Sequence, residues 1–483
     1  MLALRPRLRA VAALGALALT PVLLVGHIWN SPQLSPLRHH PELAAVGGLA
    51  GLAAVALLAV AMRRREAIFP VLAVAALPFR LPISVGGATA NLLIPLYLVV
   101  AAGTLAVALP ALRRGDTRPP PTGPGRGLGR ALEAVLAAAV VLYAVQATYS
   151  SDFSKALEQV VFFYVPFLLL FALLRQVAWT PRLLTTCFGV AVALALAFVG
   201  IGFVEYARKE LLWNPRVINS NQFESYFRVN SLFFDPNIYG RFLALVMLSI
   251  CAAVLWARRT RDSVLGAVTL AVLWAGLVLS FSQSSFAALL AGLAVLGGLR
   301  WSARWATAAA LTAIAAGAAF VALAPGAVHL ELGNSRSADK ATSGRYALIK
   351  GGTHLFADRP IAGYGAGSFA HEYRHRRHAS SARAVSASHT IPVTIAAEQG
   401  IIGLAVYLAL LVAALARLLR GAGASPARAA IAAAFAALVV HTMLYAAFLE
   451  DPLTWTLLGI GTALAAGQVR ASPPRSARSP AAA

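Results

Sequence analysis

The chain has 483 residues, 59% of them hydrophobic and 12% charged, with a formal net charge of +23 and a mean hydropathy of +0.72. A soluble protein of this length could not cover so much apolar surface, so the composition excludes a water-soluble globular protein. The apolar residues fall in runs of about 17–25, long enough for a helix to cross the hydrocarbon core of a membrane.

An all-α polytopic membrane protein of about 12–14 transmembrane helices is therefore expected. Fourteen candidate spans are predicted, at 9–27, 43–62, 67–85, 91–112, 131–148, 156–174, 183–205, 238–257, 264–280, 284–299, 305–324, 393–416, 429–448 and 453–469. With the N-terminus placed in the cytoplasm, the inside segments carry 24 of the 41 Lys and Arg. This is a positive-inside distribution. The charge thus sets topology and needs no nucleic-acid partner. Both termini are expected inside. The first segment, with Arg5, Arg7 and Arg9 before an apolar run, is read as an uncleaved first helix rather than a signal peptide, because thirteen further spans follow. Cys187 and Cys251 both lie in predicted spans, so no external disulfide framework is expected.

In chain order, the expected organisation is N-terminal helices (1–205), a first external loop (206–237), central helices (238–324), a large external loop (325–391), C-terminal helices (392–469) and a disordered cytoplasmic tail (470–483). The cytoplasmic segment 113–130, rich in Pro, Gly and Arg, reads as a flexible linker. No internal repeat of the transporter kind is evident.

The first external loop ends in Arg228 and then Asp235-Pro236-Asn237. Asp-Pro before a long apolar helix predicts an N-cap followed by proline at the first helical position. The positive end of that helix would face outward, where an anionic phosphate could sit. Arg228 can pair with lipid headgroups or grip a phosphate through two N–H groups. The aromatics Trp213, Phe223, Tyr226, Phe227, Phe233, Phe234 and Tyr239 read as an interfacial belt, or alternatively as a platform for sugar or lipid.

The large loop concentrates the water-soluble chemistry. It holds six of the ten histidines and nine Lys/Arg against four acids, which suggests an anionic substrate at the membrane surface. Ser343-Gly344-Arg345 opens a helical stretch. The glycines of 359–369 predict a tight turn; no strand precedes them and no Lys-Ser/Thr follows, which argues against a nucleotide loop. His371-Glu372-Tyr373-Arg374-His375 matches the zinc-protease pattern HExxH. Arg374, Arg376 and Arg377 would repel a dication, so a solvated basic helix is preferred, with Arg374 and Arg377 as substrate-binding candidates. His389 lies where the loop re-enters the membrane, and histidine is the residue type whose unperturbed pKa suits a general base. Glu398, inside the next span, is costly unless paired, and is a functional candidate by default, with Arg345 or another loop arginine as its expected partner.

Taken in order, R-x6-DPN-x2-G (Arg228, Asp235, Pro236, Asn237, Gly240), SGR (Ser343, Gly344, Arg345), PIAGYGAGSF and H-x8-E-x-G-x2-G (His389, Glu398, Gly400, Gly403) resemble the O-antigen ligase and O-antigen polymerase superfamily of polytopic glycosyltransferases. The resemblance covers roughly 190–450. Two departures stand out: Ser282-Gln283-Ser284-Ser285 replaces a frequent Ser-Arg-Gly, and Thr390 follows the loop histidine where Asn is common. Family members usually have about twelve spans, so one or two of the shorter candidates are expected to be re-entrant.

The resemblance implies transfer of a glycan from a polyprenyl-diphosphate carrier to a hydroxyl of a lipid, glycan or protein acceptor, on the outer face of the bacterial inner membrane. Arg228 and Arg345 would bind the diphosphate, and His389 would deprotonate the acceptor, with inversion. Glu398 would orient Arg345 or His389, and Asp235 and Asn237 would line the site. No metal or other cofactor is implied. The alternatives from the residues are a flippase for a lipid-linked oligosaccharide and a zinc membrane metalloprotease using His371, Glu372 and His375.

Overall fold

The computed structural model describes residues 6–29, 34–85, 88–113, 126–212, 217–218, 221, 227–304, 308, 345–377, 390–445 and 447–467. Its helices are α1 (Pro6–Ile28), the short α2 (Ser35–His39), α3 (Pro41–Arg64), α4 (Ile68–Ala76), α5 (Ile94–Arg113), α6 (Arg126–Ala147), α7 (Phe153–Gln159), α8 (Val165–Leu174) and α9 (Pro181–Arg208). They continue with α10 (Pro236–Leu255), α11 (Thr260–Ser280), α12 (Gln283–Gly297), α13 (Arg345–Asp358), α14 (Phe369–Arg377), α15 (Ile391–Leu419), α16 (Pro426–Leu444) and α17 (Pro452–Ala465). A π-helical turn, Val160–Tyr164, joins α7 to α8 without interrupting the span.

Among the described residues, eleven helices are long and apolar enough to cross a membrane, and α17 is a shorter apolar helix. The all-α polytopic architecture expected from the sequence is what the chain adopts. The short candidates 264–280 and 284–299 are complete helices, α11 and α12. The candidate 67–85 is not a single helix. α4 ends after nine residues, at Ala76, two residues before Pro78, whose ring and missing N–H cannot continue the helix. The chain then forms a two-stranded antiparallel hairpin, β1 (Leu81–Val85) and β2 (Ala88–Leu92), in register Leu81↔Leu92 to Val85↔Ala88. The candidate 305–324 and the tail 470–483 lie outside the described residues.

Helix starts are set by one recurring local device, a capping side chain with proline at the first helical position. Thr180-Pro181, Asp235-Pro236, Ser425-Pro426 and Asp451-Pro452 each accept an N–H of their own first turn. Proline loses nothing there, since its missing N–H would be an orphan.

The bundle has two chemically different ends. At one, Arg175 pairs with Glu133, Arg300 Nε donates to the Leu255 carbonyl at 3.1 Å, and Arg417 donates to the Thr462 carbonyl at 3.4 Å. At the other, the N-termini of α7, α10, α12, α15 and α17 meet the C-termini of α6, α9, α11 and α16, and the glycine-rich turn 359–368 packs among them. The core between the ends is aliphatic and aromatic. Its centre is α10, flanked by α11, α12 and α16.

Candidate functional site

Arg228 is held by three separate parts of the chain. Its own N–H donates to Asn221 Oδ1 and its carbonyl accepts from Asn221 Nδ2, both at 3.1 Å. The next residue, Val229, donates its N–H to the Leu279 carbonyl at 3.0 Å. Ser231, in the left-handed region at φ 51°, donates its N–H to the buried Glu205 carboxylate at 2.7 Å. Only such anchoring keeps a non-glycine residue in that region. Glu205, on the last turn of α9, is thus a staple for the Arg228 segment.

The half-buried guanidinium is then oriented by oxygens. Nε donates to the Ser280 carbonyl at 3.2 Å, and Nη2 donates to Asn237 Oδ1 at 3.4 Å and to the Phe281 carbonyl at 3.5 Å. The two carbonyls belong to the end of α11, where the helix dipole favours a cation. Asp235 caps α10, accepting the Asn237 N–H at 2.7 Å, as the sequence predicts.

Behind Asn237 lies a buried hydroxyl network. Ser282 Oγ donates to Asn237 Oδ1 at 2.9 Å and lies 2.7 Å from Ser285 Oγ. His441 Nε2, on α16, is 3.1 Å from Ser284 Oγ and 3.4 Å from Ser285 Oγ. His441 and the three serines have at most 1% exposure, so they act on Arg228 through the turn and not on solvent. Gly240 makes the approach possible: a Cβ there would lie 2.8 Å from Ser285 Oγ.

Glu398 anchors a second structure. Its carboxylate accepts the N–H of Gly367 at 3.0 Å and of Phe369 at 3.1 Å. It therefore caps α14 from across the fold, 29 residues downstream in sequence. α15 is broken two residues after Glu398, at Gly400 (φ 64°, ψ −163°). The turn docks in that break: Ile401 N–H donates to the Pro360 carbonyl and Gly365 N–H to the Glu398 carbonyl, both at 2.8 Å. Ser150 Oγ and Tyr149 OH close the other side on the carbonyls of Ala366 and Ala362 at 2.7 and 3.0 Å. Gly363, Gly365 and Gly367 all have positive φ, and a Cβ on Gly363 would lie 2.2 Å from the Glu398 carbonyl oxygen.

Between these two structures runs a line of charge that the sequence reading did not single out. Arg241, one turn into α10, pairs with Asp451, the cap of α17; they are 1% and 0% exposed. Arg80, just before β1, lies in electrostatic reach of both and of Tyr445. Burial pushes the Arg80 guanidinium below its usual range; Asp451 opposes this and Arg241 adds to it. Tyr445 is hydrogen-bonded to Asp235 and is pushed up by burial. Gln159 donates to Glu450, whose carboxyl burial also pushes up.

The structure thus brings Arg228, Asp235 and Asn237 together and puts Glu398 on backbone N–H groups. Arg345 begins α13, with its side chain outside the description; so is that of Arg377, which ends α14. Arg374 is half-buried on α14, while His371 and His375 are exposed there. His389 lies outside the described residues; its neighbour Thr390 donates to the Met443 carbonyl at 3.1 Å, beside Tyr445. Among the described residues no group of three or more His, Cys, Asp or Glu could hold a metal ion. Of the aromatic belt, Phe233 packs against Phe198, Tyr239 and Phe242, and both Phe233 and Tyr239 are buried in the core.

Sequence reasoning missed His441, Arg241 and Asp451. The usable signal was an ionisable residue inside or capping an apolar span, where the cost of burial demands a reason.

A multi-helix membrane fold with an arginine-centred polar site at one end defines the class: a polytopic membrane protein. Residues 268–408 match the family model described as O-antigen ligase. The resemblance read from the motifs is therefore borne out over that stretch, which holds the 359–369 turn, His389 and Glu398. None of the curated proteins compared with the chain matches it.

Proposed function

We propose that the chain is a membrane glycosyltransferase that moves a glycan from a polyprenyl-diphosphate carrier to an acceptor hydroxyl. The observation that carries this reading is Arg228, fixed by three oxygen acceptors at the capped N-terminus of α10, within a fold whose 268–408 stretch matches the O-antigen ligase family. A guanidinium immobilised through Nε and Nη2 is pre-organised, so binding a phosphate with its remaining edge loses little side-chain freedom.

In the reaction, the acceptor oxygen attacks the anomeric carbon as the bond from that carbon to the diphosphate oxygen breaks. The lipid diphosphate leaves with the bonding pair. Arg228 and Arg345 stabilise the charge that develops on it. His389 takes the acceptor proton. Attack opposite the leaving group inverts the anomeric centre. Asp235 and Asn237 shape the Arg228 side, and Arg374 and Arg377 contact lipid or sugar phosphate. Glu398 acts by holding the 359–369 turn in place. The site end faces the outside of the bacterial inner membrane, and the arginine-rich end faces the cytoplasm together with both termini.

The test is transfer by the purified protein in detergent from a polyprenyl-diphosphate glycan, with EDTA present, comparing wild type with His389→Ala and Arg345→Ala. Transfer that both substitutions abolish is the expected result. Transfer that survives them, or no transfer with any lipid-linked donor, overturns the reading and moves the weight to transport.

A further inference from the structure

We propose that Arg80 and Arg241, the latter paired with Asp451, form a phosphate-binding subsite separate from Arg228, which takes the second phosphate of a lipid diphosphate. The inference rests on the reading of the chain as a polyprenyl-diphosphate enzyme and names the part of the donor this subsite holds.

The first observation is an incomplete set of hydrogen bonds. Arg241 is 1% exposed, yet only Nη2 has a partner, Asp451; Nε and Nη1 are buried without one. Leaving a buried donor unmade is costly, and more so for a charged group. Asp451 accounts for Nη2 alone; Nε and Nη1, with three N–H groups between them, can still take an acceptor.

The second observation is unbalanced charge. Arg80 and Arg241 lie in each other's field, and Asp451, fully buried and paired with Arg241, acts on both. Glu450 also lies in the field of Arg80, but it is engaged by Gln159 and by the field of Lys155, and burial favours its neutral form. Asp451 is the one carboxylate paired with either arginine among the described residues, so an added oxyanion would offset the remaining positive charge. Guanidinium forks suit phosphate, which offers paired oxygens.

The third is access and continuity. Arg80 is half-buried and precedes the β1–β2 hairpin at the site end, so the subsite opens where Arg241 alone would not. Tyr445 links it to the Arg228 side, hydrogen-bonded to Asp235 and within the field of Arg80 and Arg241. Asp235 in turn caps the helix that carries Asn237, an acceptor of Arg228. The two arginine sites thus lie along one polar surface.

The test uses the full chain in nanodiscs, with geranylgeranyl diphosphate, geranylgeranyl monophosphate and sodium phosphate as probes. The variants are Arg80→Gln, on the half-buried member, and Arg241→Lys, which keeps the charge toward Asp451 but loses the fork. The wild type is expected to bind the diphosphate at least about tenfold more tightly than the monophosphate. Both variants lose that preference, with monophosphate affinity within about twofold of wild type. A preference that persists in both variants overturns the subsite. So does equal binding of the two lipids by the wild type, which leaves the enzymatic reading standing. If neither lipid binds but sodium phosphate raises the thermal midpoint of wild type and not of Arg80→Gln, the polyprenyl reading falls and the subsite stands. If no phosphate compound binds, both fall.

Discussion

Replacing Glu398 by Ala separates two roles for this carboxylate: partner of a catalytic arginine or histidine, and clamp for the glycine-rich turn. Its carboxylate oxygens accept two hydrogen bonds, from Gly367 N–H at 3.0 Å and Phe369 N–H at 3.1 Å, in a site that is 7% exposed. Leaving a buried N–H without its acceptor costs about 1–3 kcal/mol. Truncation therefore weakens docking of 359–369 by about 2–6 kcal/mol, since both N–H groups are left without their acceptor. At about 1.4 kcal/mol per factor of ten, hydrogen-exchange protection of this segment falls about 20- to 10⁴-fold. Glu398→Gln keeps one oxygen acceptor, so protection falls by about half as many decades. The assay is amide exchange read by mass spectrometry over 359–377, with α10 as internal reference. Protection of the segment within about threefold of wild type in Glu398→Ala would refute the clamp. Glu398 would then return to pairing with Arg345 or His389.

Three further outcomes follow from the same geometry. Gly400→Ala places a Cβ 2.2 Å from the Ile361 carbonyl oxygen at φ 64°, so backbone strain alone costs about 1–3 kcal/mol. Thermal unfolding should show a lowered midpoint, whereas Gly189→Ala, a helical glycine with nothing within 4 Å, leaves it level or raised. His441→Ala strips Ser284 and Ser285 of a buried partner at a cost of about 1–3 kcal/mol. It should lower kcat for transfer, and His441→Gln should restore more of it than His441→Phe; equal loss in all three would sink the positioning role. For Glu450, burial raises the carboxyl above its ordinary 4.5, so the folded state holds more protons than the unfolded one as pH rises past that value. The stability it contributes is present at low pH and lost as pH climbs through the raised value. Glu450→Gln should match wild type near pH 4, be more stable at pH 8, and show a flatter midpoint-versus-pH profile between.

What the sequence made legible were features written within a few residues. Asp235-Pro236 announces a capped helix because cap and first turn are adjacent. The glycines of 359–369 announce a turn because positive φ leaves little else. Glu398 drew attention because a carboxylate in an apolar span must be compensated. Its partner was not legible, because the compensating N–H groups come from a turn some thirty residues earlier that reaches it only after folding. The same applies to Arg241 and Asp451, which join helices 210 positions apart in the chain. The span 67–85 was misjudged by weighing hydropathy over Pro78 and Pro82, each of which removes a helical hydrogen bond.

In the turn between α11 and α12, Ser282, Ser284 and Ser285 are buried and bind Asn237 and His441, whereas Gln283 is exposed. The buried residues hold the carbonyls of Ser280 and Phe281 against Arg228; the exposed one takes no part in that framework. Charge at 283 can therefore vary without disturbing the fold. Gln283→Arg should change stability by no more than about 0.5 kcal/mol, the range of surface substitutions that touch no special feature. Added positive charge beside Arg228 should also lower KM for the lipid diphosphate, most strongly at low ionic strength, because exposed charges are screened by salt. A loss of more than about 1 kcal/mol would mean that Gln283 belongs to the packed turn after all. An unchanged KM at all salt concentrations would mean that Arg228 does not face the donor's phosphates.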